Sequence, residues 1–380
     1  MNERNERLVE TADRIGARIC RDAVWAGREC SWIAAQRDGS HAALDTSLYR
    51  GTSGIAWFLL HLFAATGEKA FRITAEGAIR QAIGRPNVDT GFHAGRSGIA
   101  YVAAWAARIT GREDYAEQSR QMLRATDPVP ARIDITEGSA GAIPVLLSEG
   151  FLEHAVRHGE FLLHCAVRRE TGWSWKTLPQ FGRNLTGFAH GAAGIGWALL
   201  ELFQATGDGR FREAGLQAFA YEENLFDAEA QNWPDLRPGF GPFSTAWCHG
   251  APGIGFSRLR AFEILGDEAC RTQAETAIRT TAQSLDSLTN YSLCHGVGGN
   301  AELLLSAART LHAPAYAAPA YRAAEAGIQQ YEDERAPWPC GDRGEGETPG
   351  LMVGIAGIGY FLLRLWDPGR FPSILLPPAA

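Results

Sequence analysis

Cys248 in WCHG, and Cys294 with His295 in LCHG, offer two thiols and one imidazole. Two thiolates and an imidazole are a soft donor set that suits Zn²⁺, and three protein ligands leave one position open, as a catalytic zinc requires. Their separation matches no zinc-finger spacing. The pair gains weight because both Cys-His dipeptides stand at the same point of a repeat. The plainer alternative is that both cysteines are small buried hydrophobes and the histidines are core groups bonded to backbone carbonyls. His249 follows Cys248 as His295 follows Cys294, and reads either as a fourth ligand or as an acid beside the metal. His190, in GFAHGAAG, takes the corresponding place one copy earlier without a cysteine, and reads as a helix cap or as a general acid/base. Asp134, in DITEGSAG, lies four residues before Gly138, where a carboxylate most often caps a turn or helix.

The repeat that aligns these residues is Gly-x-x-Gly followed by an apolar run. It begins at Gly51, Gly95, Gly138, Gly191, Gly250, Gly296 and Gly354, in steps of 43 to 59 residues. Such a step holds two helices and two connections. In four copies a second glycine (Gly67, Gly111, Gly207, Gly266) stands 16 residues after the first, just past the apolar run, where helices commonly end. The unit is an inner apolar helix, a turn, and an outer helix of mixed character such as RITAEGAIRQAI. Helices apolar on nearly every side are expected inside a ring of amphipathic ones. The fold class expected is therefore all-α, an α/α toroid of seven inner and seven outer helices. Residues 1–47 carry a separate helical pattern, RLVETADRIGARICRDAVWAG, expected to cap or complete the ring. The stretches around 170–187 and 225–247 read as loops, and with no interdomain linker residues 1–380 read as one domain.

If the inner helices run the same way, the residues before each Gly-x-x-Gly gather at one end of the ring. Two positions before the first glycine stand Tyr49, His93, Thr136, Ala189, Cys248, Cys294 and Met352; one position before stand Arg50, Ala94, Glu137, His190, His249, His295 and Val353.

The 380 residues are 46% hydrophobic and 21% charged, which supports a large core and excludes a disordered or fibrous chain. A net charge of −7 with no basic block argues against nucleic acid as a partner. There is no long apolar run and the N-terminus, MNERNERLVETADR, is charged, so a cytoplasmic protein without stable membrane insertion is expected. Seven cysteines form an odd and sparse set, better read as reduced thiols than as a disulfide framework.

Together the seven copies, with GFAHGAAGIGWALLELF, WCHGAPGIG, LCHG and PGLMVGIAGIGYFLLRL, resemble the lanthionine synthetase C-like family, the lanthipeptide cyclases, from about residue 8 to 377. NWPDLR and CHGAPGIG are most similar to the cyclase half of the bifunctional class II synthetases, which implies either a stand-alone cyclase or part of a larger synthetase. The resemblance implies an α/α toroid and one Zn²⁺ per chain held by Cys248, Cys294 and His295. It further implies His190 as acid/base and Asp134 as the active-site carboxylate, while His249 stays the alternative acid by its position beside Cys248. The implied reaction is Michael-type addition of a peptide Cys thiol to dehydroalanine or dehydrobutyrine. Its substrate is a dehydrated precursor peptide, and a separate dehydratase is a further candidate partner. Two positions depart from stand-alone cyclases: Ser244 stands where they have Arg, and His249 where they have Tyr.

Rival expectations are a related enzyme adding another thiol such as glutathione, a toroid zinc enzyme such as a thiol prenyltransferase, and a peptide-binding toroid without chemistry. A toroid glycosidase needs two facing carboxylates, and only Asp134 and Glu137 lie near the expected face. Trp233 and Trp247 read as core residues or as a wall of the substrate cavity.

Overall fold

The computed structural model describes residues 3–35, 40–342 and 346–377. Among them the chain forms α1 (Glu3–Arg21), α2 (Thr52–Thr66), α3 (Lys69–Gly84), α4 (Arg96–Thr110), α5 (Glu113–Arg124), α6 (Ser139–Ser148) and α7 (Leu152–Cys165). Then follow α8 (Ala192–Thr206), α9 (Gly209–Glu223), α10 (Ala251–Leu265), α11 (Glu268–Ser284), α12 (Val297–Thr310), α13 (Ala318–Gly327) and α14 (Ile355–Trp366). Each even-numbered helix starts directly after the first glycine of a repeat. These inner helices pack in chain order, α2 on α4 and so on to α12 on α14, and α14 returns to α2. The ring is closed: an α/α toroid of seven inner and seven outer helices.

The repeat has a geometric cause. At the second glycine of all seven copies, an added Cβ would lie 1.8–2.2 Å from the carbonyl oxygen of the residue six positions earlier: Leu48, Phe92, Ile135, Phe188, Trp247, Leu293 and Leu351. The approaching chain crosses the first helical turn in backbone contact, which only glycine permits. Gly253→Ala would push on the Trp247 carbonyl, one residue from Cys248. We expect a loss of about 1–3 kcal/mol from this overpacking, read as a lower urea midpoint with an unchanged slope.

At the far ends, Gly67, Gly111, Gly207 and Gly266 adopt φ of +65° to +76° and donate their N–H to the carbonyl four residues back. Glu68, Asp208 and Asp267 then cap α3, α9 and α11 by accepting the N–H two residues on.

The N-terminal segment takes the outer place of the seventh pair. α1 packs along α14 and buries Leu8, Ala12, Ile15 and Ile19, a stripe at helical spacing. The expected helical pattern runs past the helix: α1 stops at Arg21, and strand β1 (Val24–Ala26) pairs antiparallel with β2 (Glu29–Ser31) around Gly27 at φ +63°. Val24 and Trp25 favour a strand, and the Trp25 ring lies against Gly77 of α3. Two further hairpins, β3 (Ile33–Ala35) with β4 (His41–Ala43) and β5 (Val167–Arg169) with β6 (Gly172–Ser174), sit in connections.

The inner helices are apolar all round because a second surface covers their central side. After α14 the chain turns back inside the ring. Phe371 packs on His61 of α2, the Tyr360 hydroxyl donates to the Pro372 carbonyl, and Trp247 Nε1 donates to the Leu375 carbonyl at the other end (3.2 Å). Phe371, Ile374 and Leu375 are all buried. Among the described residues no helix is long and apolar enough to cross a membrane.

Candidate metal centre

The residues two places before each repeat glycine, with Ala94 beside His93, form a hydrogen-bonded belt around the end of the ring. The Tyr49 N–H donates to the His93 carbonyl (2.8 Å), Ala94 to Thr136 (2.8 Å), Ala189 to Cys248 (3.2 Å) and Cys248 to Cys294 (3.4 Å). Cys294 then donates to Met352 (2.9 Å), and Met352 to Tyr49 (2.8 Å). The Thr136 hydroxyl supplies the remaining link, to the Ala189 carbonyl (3.4 Å). Sequence equivalence thus becomes spatial adjacency, and the chemistry of neighbouring copies converges.

Cys248, Cys294 and His295 bring their ligand atoms within 4.8 Å of one another. Tetrahedral zinc would hold them roughly 3.5–3.8 Å apart, a closure within side-chain reach. Nε2 of His295 donates to the Gly341 carbonyl (2.8 Å), which leaves Nδ1 for a metal and fixes the ring. Gly341 is itself constrained, since a Cβ there would meet the imidazole at 2.8 Å. The sulfurs are electrostatically coupled. A hydrogen bond from Cys294, then the charges of His295, Arg237 and His190, hold the Cys248 thiol down at about 6 against the burial that raises it. The same bond, with burial, pushes Cys294 well up. Two sulfurs and one imidazole form a soft donor set that fits a soft divalent cation. Tyr49 donates its hydroxyl to Cys294 Sγ at 2.9 Å.

Beside this group His190 Nδ1 meets Asp134 Oδ2 at 2.6 Å. Burial lowers the His190 pKa, but the Asp134 charge and hydrogen bond, aided by Cys248 and Glu137, outweigh it and the net shift is upward. Asp134 is fixed in turn because its Oδ1 accepts the Glu137 N–H (2.8 Å). The approach to His190 is held from the outer layer. Glu222 of α9 accepts the Gly187 and Ala193 N–H groups (2.8 and 3.0 Å) and pairs with Arg258 of α10 at 3.0 Å, both side chains fully buried.

His249 stands outside the converging group. Its Nδ1 is 3.2 Å from the Thr186 carbonyl, and its Nε2 is buried without a partner among the described residues. Burial first, then Arg237, pushes its pKa to about 3, so it is a neutral ring. Its centroid lies 6.1 Å from that of His190. Glu137 pairs with Arg132 while Asp134 holds His190, so these two do not form the facing acid pair of a glycosidase. Trp233 and Trp247 are fully buried. Trp247 packs on His93 and Phe188, and Trp233 on Phe226, so both belong to the core.

Sequence reasoning gave Tyr49, Gly341 and Arg237 no role. Arg237 sits in the long loop before Cys248, with Nε and Nη2 on Asp235 (2.9 and 2.6 Å), and the Ser244 hydroxyl donates to the same carboxylate (2.6 Å). Ser244 thus helps to anchor the Arg237 guanidinium through their shared carboxylate. The wording NWPDLR held this signal, as an acid two residues before an arginine.

A family model described as lanthionine synthetase C-like protein matches residues 42–376. The chain is 22% identical over 369 residues to the lacticin 481/lactococcin biosynthesis protein LcnDR2 of Lactococcus lactis subsp. lactis, covering 88% of this chain but 37% of that protein. It is 27% identical over 352 residues to glutathione S-transferase LANCL1 of Danio rerio, covering 86% of this chain and 84% of the relative. Among solved structures, nisin cyclase superposes with a TM-score of 0.69 over 95% of both chains at 18% identity, a likeness of fold.

Proposed function

The chain belongs to the lanthionine synthetase C-like family, and from that membership we propose that it is a zinc-dependent cyclase of dehydrated precursor peptides. Cys thiols of the peptide add to dehydroalanine or dehydrobutyrine to form (methyl)lanthionine rings. The observation that carries this reading is the convergence of Cys248, Cys294 and His295 within 4.8 Å beside the His190–Asp134 pair. Zinc held by those three side chains would supply an open, Lewis-acidic position at which a thiol gives up its proton near neutral pH.

Cys248 and Cys294 contribute negative charge that keeps the arriving sulfur nucleophilic. The sulfur bonds to the β-carbon, and the π pair moves onto the α-carbon and its carbonyl. The proton lost by the thiol passes to solvent and one proton must reach the α-carbon, so the addition balances without an oxidant or reductant. His190 is the proposed donor. Asp134 favours its imidazolium form and orients the ring. Among the described residues His249 has no carboxylate in hydrogen-bond contact, and it is assigned no proton transfer.

The relative named as a lacticin 481/lactococcin biosynthesis protein and the neighbour named nisin cyclase support a peptide substrate. A separate dehydratase is the partner such a substrate would require. A second reading is favoured by the relative named glutathione S-transferase, matched over 84% of its length: the same centre adding glutathione to a dehydro residue. One assay separates them. The purified chain is incubated with a dehydrated Cys-containing peptide and glutathione, alkylated, and followed by mass spectrometry. Loss of an alkylatable Cys at unchanged peptide mass supports cyclisation. A gain of one glutathione supports the second reading, and an unchanged peptide contradicts both.

A further inference from the structure

Cys294 and His295 are adjacent in the chain, and each is touched by a residue from a different part of it. The Tyr49 hydroxyl meets Cys294 Sγ at 2.9 Å, and the Gly341 carbonyl accepts the His295 Nε2–H at 2.8 Å. Gly341 lies in the connection before α14 and Tyr49 in the one before α2, the two inner helices that follow α12 around the ring. The next residue of each then meets the other. Arg50 Nη2 lies 2.6 Å from Asp342 Oδ1. Two dipeptides, Tyr49–Arg50 and Gly341–Asp342, thus close a frame around a third, Cys294–His295.

The frame is also fixed along its backbone. Gly341 donates its N–H to the Val353 carbonyl (2.7 Å), Met352 donates to the Tyr49 carbonyl (2.8 Å), and a Cβ on Gly350 would meet the Arg50 carbonyl oxygen at 3.0 Å. Gly341 has no side chain by which to be held, so the aim of its carbonyl depends on its neighbours. Cys340 Sγ on one side accepts the Thr348 N–H (3.4 Å), and Asp342 on the other takes Arg50. Resting on the zinc-centre reading above, we propose that the Arg50–Asp342 ion pair is the latch of this frame. Both are positioning residues, which act through the Gly341 carbonyl to keep His295 in the Nε2–H tautomer and leave its Nδ1 for the ion. Their side chains are 43% and 24% exposed, so the pair is partly screened and its effect is modest.

The test uses the full chain and two readings, one of them free of metal. In the metal-free protein, at a pH where imidazoles are neutral, proton–nitrogen correlation spectra give the tautomer of each histidine. His295 is identified by the signal that His295→Gln removes. The unaltered protein should show it as Nε2–H alone. Arg50→Gln and Asp342→Asn should each admit the Nδ1–H tautomer and weaken zinc binding, measured against a chelator, by about two- to fivefold, the usual range for a partly exposed ion pair. The double variant should lose no more than either single one, because two residues of one pair are not additive. A contribution to fold stability alone would lower the urea midpoint and leave tautomer and zinc affinity unmoved, and that result overturns the proposal, as do fully additive losses. Absence of zinc binding in the unaltered protein overturns the zinc-centre reading, and the tautomer measured without metal still decides whether the latch positions His295.

Discussion

On the proposed reading, Cys294→Ala is expected to abolish zinc binding and thioether formation together while the toroid stays folded. Removing one of three ligands leaves Cys248 and His295, a pair too sparse to retain the ion through dialysis. Loss of an outer hydrogen-bond partner alone costs 10–100-fold in affinity, so loss of a ligand should exceed roughly 100-fold. The fold should survive because the belt passes through the Cys294 backbone, whose N–H to Met352 does not need the side chain. Elemental analysis, far-UV circular dichroism and the alkylation assay read the three quantities separately. Cys270→Ala is the control. That thiol is buried on outer helix α11, outside the converging group, and its loss should leave zinc and activity in place. Full zinc in Cys294→Ala would mean that the donors lie elsewhere.

His190→Ala is expected to keep the metal and slow ring closure by about 10²–10⁴-fold, the usual range for losing a positioned general acid. The pH dependence carries the sign. The His190 pKa is shifted upward by Asp134 against burial, so the imidazolium survives above the ordinary value of 6.5, and activity should fall only as pH rises through the raised value. Asp134→Asn removes the carboxylate charge, lets burial prevail, and should move the alkaline limb of kcat to lower pH. His249→Ala should leave both rate and limb near those of the unaltered protein. If His249→Ala alone slows closure, the donor is His249 and the assignment to His190 falls.

The parts of this structure that were legible are those with a repeated physical cause. The second glycine of each copy is demanded by a carbonyl about 2 Å from where its Cβ would sit, so the motif recurs and sets the phase of all seven inner helices. That phase told which residues share an end of the ring, and the Cys248, Cys294 and His295 group followed from it. The rest depended on contacts that no repeat encodes. Tyr49 touches Cys294 across 245 positions of sequence, and tyrosine before a glycine is unremarkable in isolation. Arg237 lies in an irregular loop whose shape depends on Asp235 and Ser244. The return of residues 371–375 through the ring was hidden because an apolar stretch after a helix reads equally as a loose tail. Trp233 and Trp247 could not be divided between core and cavity wall until their burial was known.

X-ray absorption at the zinc edge, on the purified chain with and without a Cys-containing peptide that carries no dehydro residue, tests the central claim most directly. The account predicts two sulfurs near about 2.3 Å with one imidazole nitrogen and one light-atom ligand in the free protein, and three sulfurs with the light atom displaced once the peptide is bound. A second imidazole in place of the light atom, or a sulfur count that stays at two with the peptide present, would contradict it.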